Sequence, residues 1–163
     1  MTRELLDALK AFVEDATGHF RLPTAVQKGD DAQEFRAPEV HRMRIPQASA
    51  YKKYAPYIII RKVTSKDTQP HGERSNSSEL IRMIFCVYND DEEQGELDLV
   101  NVIDAVRIKL EREVVIGQKY ELDKAASVEV LIYEDDTAPY YGGEMMFNVE
   151  VPPIEREVDF NAI

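Results

Sequence analysis

The chain has few residues that would reinforce a fold covalently. Its 163 residues include one cysteine, Cys86, and no tryptophan. A single cysteine cannot form a disulfide within the chain, so a core must be held together by packing. Cys86 lies in the apolar run Met83–Tyr88, where a free cysteine behaves as a small hydrophobic residue. We therefore expect Cys86 to be buried.

Long hydrophobic runs are also missing. No apolar segment approaches the roughly 18 residues that a membrane span requires. Residues 1–16 alternate charged and apolar positions and lack the continuous apolar stretch of a signal peptide. The sequence therefore predicts a soluble protein with no membrane partner.

The short motifs of common catalytic and metal sites are absent. There is no Walker-type or GxGxxG phosphate loop, no GxSxG turn, and no CxxC or HxxxH spacing. The three histidines, His19, His41 and His71, lie far apart in loop-like segments. We predict that the chain is not an enzyme and needs no metal or cofactor.

The acidic stretch Asn89–Gly95 is the nearest approach to a calcium loop. With Gly95 at the sixth loop position, the twelfth is Asn101, which cannot supply a bidentate carboxylate. Acidic side chains are favourable ahead of a helix because they face the positive end of its dipole. We therefore interpret Asp90–Glu93 as a turn and helix cap.

Charge is strongly negative overall and unevenly distributed. The net charge of −11 argues against specific nucleic-acid binding. Residues 40–66 carry basic side chains and no acidic ones, whereas from Glu134 onward eight acidic residues accompany one arginine. The two regions could match head to tail between identical subunits or could be independently solvated surfaces. In the first case the interface candidates are Arg42, Arg44, Lys52, Lys53, Glu155 and Glu157.

Two segments have the apolar spacing of amphipathic helices. Residues 3–16 carry apolar side chains on a single face. Residues 94–114 have a second apolar stripe, predicted to meet a sheet. Leu97 and Ile108 project from the opposite side of this second helix. We interpret them as candidate subunit contacts, although lone exposed apolar residues are common in monomers.

The remaining periodic segments are typical of strands. They cover residues 57–63, 80–88, 128–133 and 145–151, with a possible short strand at 120–122. Adjacent strands without intervening helices favour an α+β fold: a mainly antiparallel sheet of four to five strands with two helices packed on one face. We predict one domain, residues 1–163. Residues 18–56 would form an irregular arm or long loop, and residues 64–78 a second polar loop.

Four motifs occur in a fixed order in the second half of the chain. They are Pro56–Ile60, Glu93–Asn101, Asp135–Gly143 and Val151–Ile154, with sequences PYIII, EQGELDLVN, DDTAPYYGG and VPPI. In this order they resemble the tail terminator (tail completion) proteins of long-tailed bacteriophages and prophages. The minor tail protein U of lambda-like phages is the familiar type of that family. The resemblance covers about residues 54–158, and residues 57–158 would form the tail-terminator-like core. It says little about the arm at residues 18–56.

The resemblance implies a structural role in virion assembly. Such proteins form hexameric rings that cap the head-proximal end of the tail tube, end its polymerisation and meet a head–tail connector protein. The expected partners are therefore other copies of this chain, the tail tube protein and the connector. The expected location is the virion neck or, during assembly, the host cytoplasm. A connector or adaptor ring of the neck is an alternative, and a small host enzyme or ligand-binding module is a less favoured one.

The polar loop at residues 64–78 is the candidate contact with the tube. Its composition of small and charged residues favours mobility in the free protein. The side chains expected to reach the tube are Lys66, Gln69, His71 and Arg74.

Overall fold

The computed structural model of the chain describes residues 2–25, 33–45 and 54–154. Its helices are α1 (Thr2–Thr17) and α2 (Glu92–Glu113). Its strands are β1 (Leu22–Pro23), β2 (Phe35–Arg36), β3 (Glu39–Arg42), β4 (Tyr57–Thr68), β5 (Asn76–Tyr88), β6 (Val115–Ile116), β7 (Tyr120–Leu122), β8 (Glu129–Ile132) and β9 (Tyr140–Val151). A short 3-10 turn covers Lys124–Ala126.

The main sheet has seven strands in the described part of the chain. Its order is β3-β4-β5-β9-β7-β6, and β8 pairs with β9 beside β7. All pairings are antiparallel except β3 with β4, which is parallel. The fold is therefore α+β with a mostly antiparallel sheet, as predicted. The expected number of four to five strands is too low, because β3 and β6 are too short to give a periodic signal.

Both helices contribute their predicted apolar faces to the main core. In α1 the buried apolar residues are Leu5, Leu6, Leu9, Phe12, Val13 and Ala16. In α2 they are Leu99, Val102, Ile103, Val106 and Leu110. These side chains form one cluster with alternate residues of the long central strands, Ile81, Met83, Phe85, Met145, Phe147 and Val149. Helix α2 begins where Asp91 accepts a hydrogen bond from the Gln94 amide at 3.1 Å.

A smaller cluster holds the cysteine. Cys86 is buried beside Tyr57, Tyr88, Ala55 and Ile45. Its burial in an apolar strand confirms the prediction from its neighbours in the sequence.

Residues 18–56 are not wholly an irregular arm. Strands β1 and β2 pair with each other, and β3 extends the main sheet along β4 with Val40 opposite Ile58. Strands of two to four residues show no period in the sequence, so only their partners define them. Residues 26–32 and 46–53 of this segment lie outside the described residues.

The prediction of a loop at residues 64–78 is wrong for most of its length. Strand β4 continues to Thr68 and β5 begins at Asn76, so a long hairpin leaves residues 69–75 as its connection. Polar side chains pair across it: the Ser65 hydroxyl lies 2.6 Å from the Glu79 carboxylate, and the Ser77 hydroxyl 2.6 Å from that of Asp67. Cross-strand pairs of this kind stabilise a ladder without an apolar pattern.

Candidate functional site

The histidines do not converge. His19 stacks on Phe20, His41 lies in β3 and His71 lies in the connection between β4 and β5. Within residues 2–25, 33–45 and 54–154, no three His, Cys, Asp or Glu side chains group so as to hold a metal ion. Neither described helix is long and apolar enough to cross a membrane.

The Tyr-Tyr-Gly-Gly motif forms the first four residues of β9 and contacts two other elements. A β-carbon at Gly143 would lie 2.9 Å from the Leu131 carbonyl, so glycine lets β8 approach β9 closely. A β-carbon at Gly95 would lie only 2.3 Å from the ring of Tyr141, so glycine also lets the first turn of α2 rest on that ring. The motif thus positions β8 and α2.

A small acidic cavity of about 190 Å³ lies between α2 and the segment that joins β8 to β9. Its carboxylate-bearing lining residues are Glu92, Glu96, Glu134, Asp135 and Asp136. Burial raises the pKa of the Tyr141 hydroxyl, and the charges of Glu92 and Glu96 raise it further. The hydroxyl therefore stays protonated at neutral pH beside negatively charged side chains.

Strand β8 is the most exposed apolar strand of the main sheet. Val130, Leu131, Ile132 and the following Tyr133 are all large and exposed, and Leu131 reaches 55% exposure. Among the described residues, β8 pairs only with β9, so its other edge is free. A free strand edge offers unpaired N–H and C=O groups to another chain. We call residues Glu129–Tyr133 the β8 edge.

Opposite Leu131 on the neighbouring strand, a polar group anchors β8 to the sheet. Glu144 is buried on β9 and pairs with Arg82, and Tyr133 donates its hydroxyl to the same carboxylate at 3.3 Å. Burial raises the pKa of Tyr133, and the charge of Glu144 adds to the rise. A protonated tyrosine can donate this bond across the neutral range, which holds the end of β8 in place.

The side of α2 opposite the core carries a second exposed apolar group. Leu97 is 50% exposed and Ile108 is 40% exposed, and Val100 is exposed beside them. Arg107 bridges Asp104 at 3.0 Å and Glu111 at 3.4 Å on neighbouring turns. We call Leu97, Val100 and Ile108 the α2 outer face. Leu97 and Ile108 project away from the core, as predicted.

The basic interface candidates are only partly described. Arg42 lies at the end of β3 and pairs with Asp7 of α1. Arg44 is exposed just beyond it and has no ion-pair partner among the described residues. Lys52, Lys53, Glu155 and Glu157 lie outside those residues. The structure therefore places two of the six charged candidates, both at the β3 end of the sheet.

The candidate tube-contact residues occupy one exposed hairpin. Lys66 lies on β4, while Gln69, His71 and Arg74 lie in the connection. The connection turns where the Glu73 amide donates to the Pro70 carbonyl at 2.9 Å, and Gly72 adopts a positive φ of 79°. The hairpin thus presents these polar side chains together at one end of the sheet.

Sequence reasoning did not identify the β8 edge as a candidate site. The segment was predicted as a strand, but a run of Val, Leu, Ile and Tyr suggests a buried strand, and its exposure depends on which strands flank it. No protein-family model matches the chain, and no curated protein is significantly similar to it. The arguments for function therefore rest on the motifs and on these surfaces.

Proposed function

We propose that this chain is a structural assembly protein that forms a ring on the head-proximal end of a phage tail tube and ends its growth. The order of the four motifs resembling tail terminators supports the class. The proposal of a ring is supported above all by the exposed apolar surface of the β8 edge and the α2 outer face. Surfaces of this kind mark interaction sites in folded proteins.

The distribution of charge supports a contact between unlike surfaces. Arg42 and Arg44 lie at the β3 end of the strand order, and the acidic residues Glu134–Asp136 follow β8, on the side of β9 away from β5. A head-to-tail contact between unlike surfaces generates a ring when its rotation closes. A closed ring presents no further free surface of the same kind, which suits a cap that must stop growing.

The hairpin of β4 and β5 supports a separate contact with the tube. Its ladder makes the hairpin a defined projection, and its connecting residues, 69–75, are polar and exposed. In the proposed ring, Gln69, His71 and Arg74 contact the tail tube protein, with Lys66 beside them. A second ring surface is then left for the head–tail connector.

Light scattering and electron microscopy together test the proposal. A hexamer would have a mass of about 112 kDa, six times the subunit mass of 18.7 kDa. Images of the protein mixed with tail tubes from the same phage or prophage should show rings at one end of each tube. A protein that remains monomeric at high concentration contradicts the ring. Rings that bind a purified connector but never a tube would favour the connector alternative.

A further inference from the structure

Strands β3 and β8 each have a free edge among the described residues. Strand β3 ends the strand path on one side and pairs only with β4, and β8 pairs only with β9, on the side of β9 away from β5. The two edges therefore lie on opposite sides of the β4–β5–β9 ladder. A contact between β3 of one copy and β8 of the next joins unlike surfaces, which is the requirement for head-to-tail assembly.

The two edges also lie at the same level of the sheet. The pairing registers connect the end of β3 to β8 through one row of residues, Arg42, Ile60, Met83, Met145 and Val130. A flat ring has no rise between neighbours, so it brings residues of one level together. Arg42 of one copy then faces Val130 of the next.

The strand directions suit the same contact. Strand β3 runs parallel to β4, and the three following pairings, β4–β5, β5–β9 and β9–β8, are antiparallel. In the alternation of the sheet, strand β8 is therefore antiparallel to β3, and the twist between successive strands adds to this. Rotation about a ring axis preserves the direction of every strand along that axis. The two edges of neighbouring copies would meet antiparallel and continue the alternation of the sheet.

Opposite charges also lie at one end of the contact between β3 and β8. Strand β3 ends at Arg42, in the row of Val130, and the chain turns at Met43, which has a positive φ of 65°. Exposed Arg44 therefore lies at the end of the contact where β8 begins with Glu129. Glu39 is the acidic residue of β3, and it already has Arg36 as a partner at 3.7 Å within its own subunit. The β8 edge carries no lysine of the kind that protects free edges from other strands.

We propose that β3 of one copy pairs antiparallel with β8 of the next copy, so that the sheets of neighbouring subunits form one continuous sheet around the ring. This inference rests on the ring proposed above and specifies its contact. Main-chain hydrogen bonds supply part of the affinity, as in other cases of strand addition. The exposed side chains Val130, Leu131 and Ile132 become covered in the process.

Disulfide trapping tests the pairing in the full chain. In a Cys86→Ala background, Arg42→Cys and Val130→Cys are introduced together, because paired residues on neighbouring strands lie within disulfide range. Oxidation should give a ladder of covalent multimers up to the ring size on a non-reducing gel. An equimolar mixture of the two single-cysteine variants should give a dimer and nothing larger. A second pair, Arg42→Cys with Ile132→Cys, covers a shift of two residues in register.

Matched controls separate this contact from others. Val115 is exposed on β6, the other end strand of the path, so Arg42→Cys with Val115→Cys should stay monomeric on the gel. Dimers from Val130→Cys alone would indicate β8 pairing with β8 and would overturn the proposal. Rings in the microscope without crosslinks from either double variant would overturn the pairing and leave the ring intact. A monomeric parent protein would overturn both.

Discussion

Gly95 and Tyr141 are the residue pair on which the position of α2 depends most closely. The absence of a side chain at Gly95 allows the helix to lie on the Tyr141 ring. A glycine inside a helix normally costs about 1 kcal/mol relative to alanine. That it lies in the first turns of α2 indicates that the close approach to Tyr141 matters more than helix propensity at this position.

Gly95→Ala should therefore destabilise the protein. Overpacking costs about 1–3 kcal/mol, and the gain in helix propensity offsets about 1 kcal/mol of it, so we expect a net loss of up to about 2 kcal/mol. Urea unfolding followed by circular dichroism measures the difference. In a Tyr141→Ala background the same substitution should cost nothing or stabilise, because the ring is gone. Equal destabilisation in both backgrounds would show that the ring is not the cause.

Among the elements, α2 combines two roles on opposite sides. Its core side packs Leu99, Ile103 and Val106 into the main cluster. Its outer face leaves apolar side chains partly in water, where they contribute less to the stability of the single subunit than the core side does. A change on the outer face should thus separate assembly from folding.

Leu97→Lys should weaken ring formation and leave the fold intact. The substitution places a charge in a proposed contact, while surface changes away from the core alter stability by less than about 0.5 kcal/mol. Ala11→Lys, at an exposed position of α1, is the matched control and should assemble normally. Light scattering reports the mass and thermal unfolding reports the fold. Normal rings from Leu97→Lys would remove α2 from the interface.

The β4–β5 hairpin is the second element with a separable role. Its strands are fixed by ladder hydrogen bonds and by the Ser65–Glu79 and Ser77–Asp67 pairs, so its tip is the part available to a partner. Residues 64–78 are therefore mostly the two strands of a hairpin with a short polar tip, and not the loop that the sequence predicts.

Replacing residues 69–75 by Asn-Gly should abolish tube capping without preventing ring formation. Asn-Gly favours the tight turn of a two-residue hairpin connection, so both strands keep their register. Shortening a surface connection changes stability by less than about 1 kcal/mol. Tube length in the presence of the variant ring, measured by electron microscopy, is the readout. Tubes that still stop at normal length would assign the contact to another segment.

At the scale of the whole molecule, the distribution of charge matters more than its sum. A net charge of −11 makes copies repel one another on average, so association needs locally opposite charges or apolar contact. The proposed β3–β8 contact supplies both, with Arg44 near Glu129 beside the apolar strand.

Ring formation should therefore weaken as salt rises. Between about 0.1 M and 1 M ionic strength, the screening length falls from about 10 Å to about 3 Å, which reduces attraction between exposed charges. Light scattering at a fixed protein concentration should show a loss of mass over this range. Arg44→Glu should assemble poorly at low salt, and adding Glu129→Arg should restore the ring. Rings that strengthen steadily with salt would contradict the electrostatic contribution.

Local patterns in the sequence determined the two helices and their buried faces, because a period of 3.6 residues depends on neighbours along the chain alone. They also determined the central strands β5 and β9 and the burial of Cys86. Tertiary structure decided the rest. The parallel position of β3, the extension of the hairpin and the exposure of β8 depend on which distant strands pair, and those pairings leave no local period. The candidate site lies on these edges, because an edge exists only where a strand has no further partner.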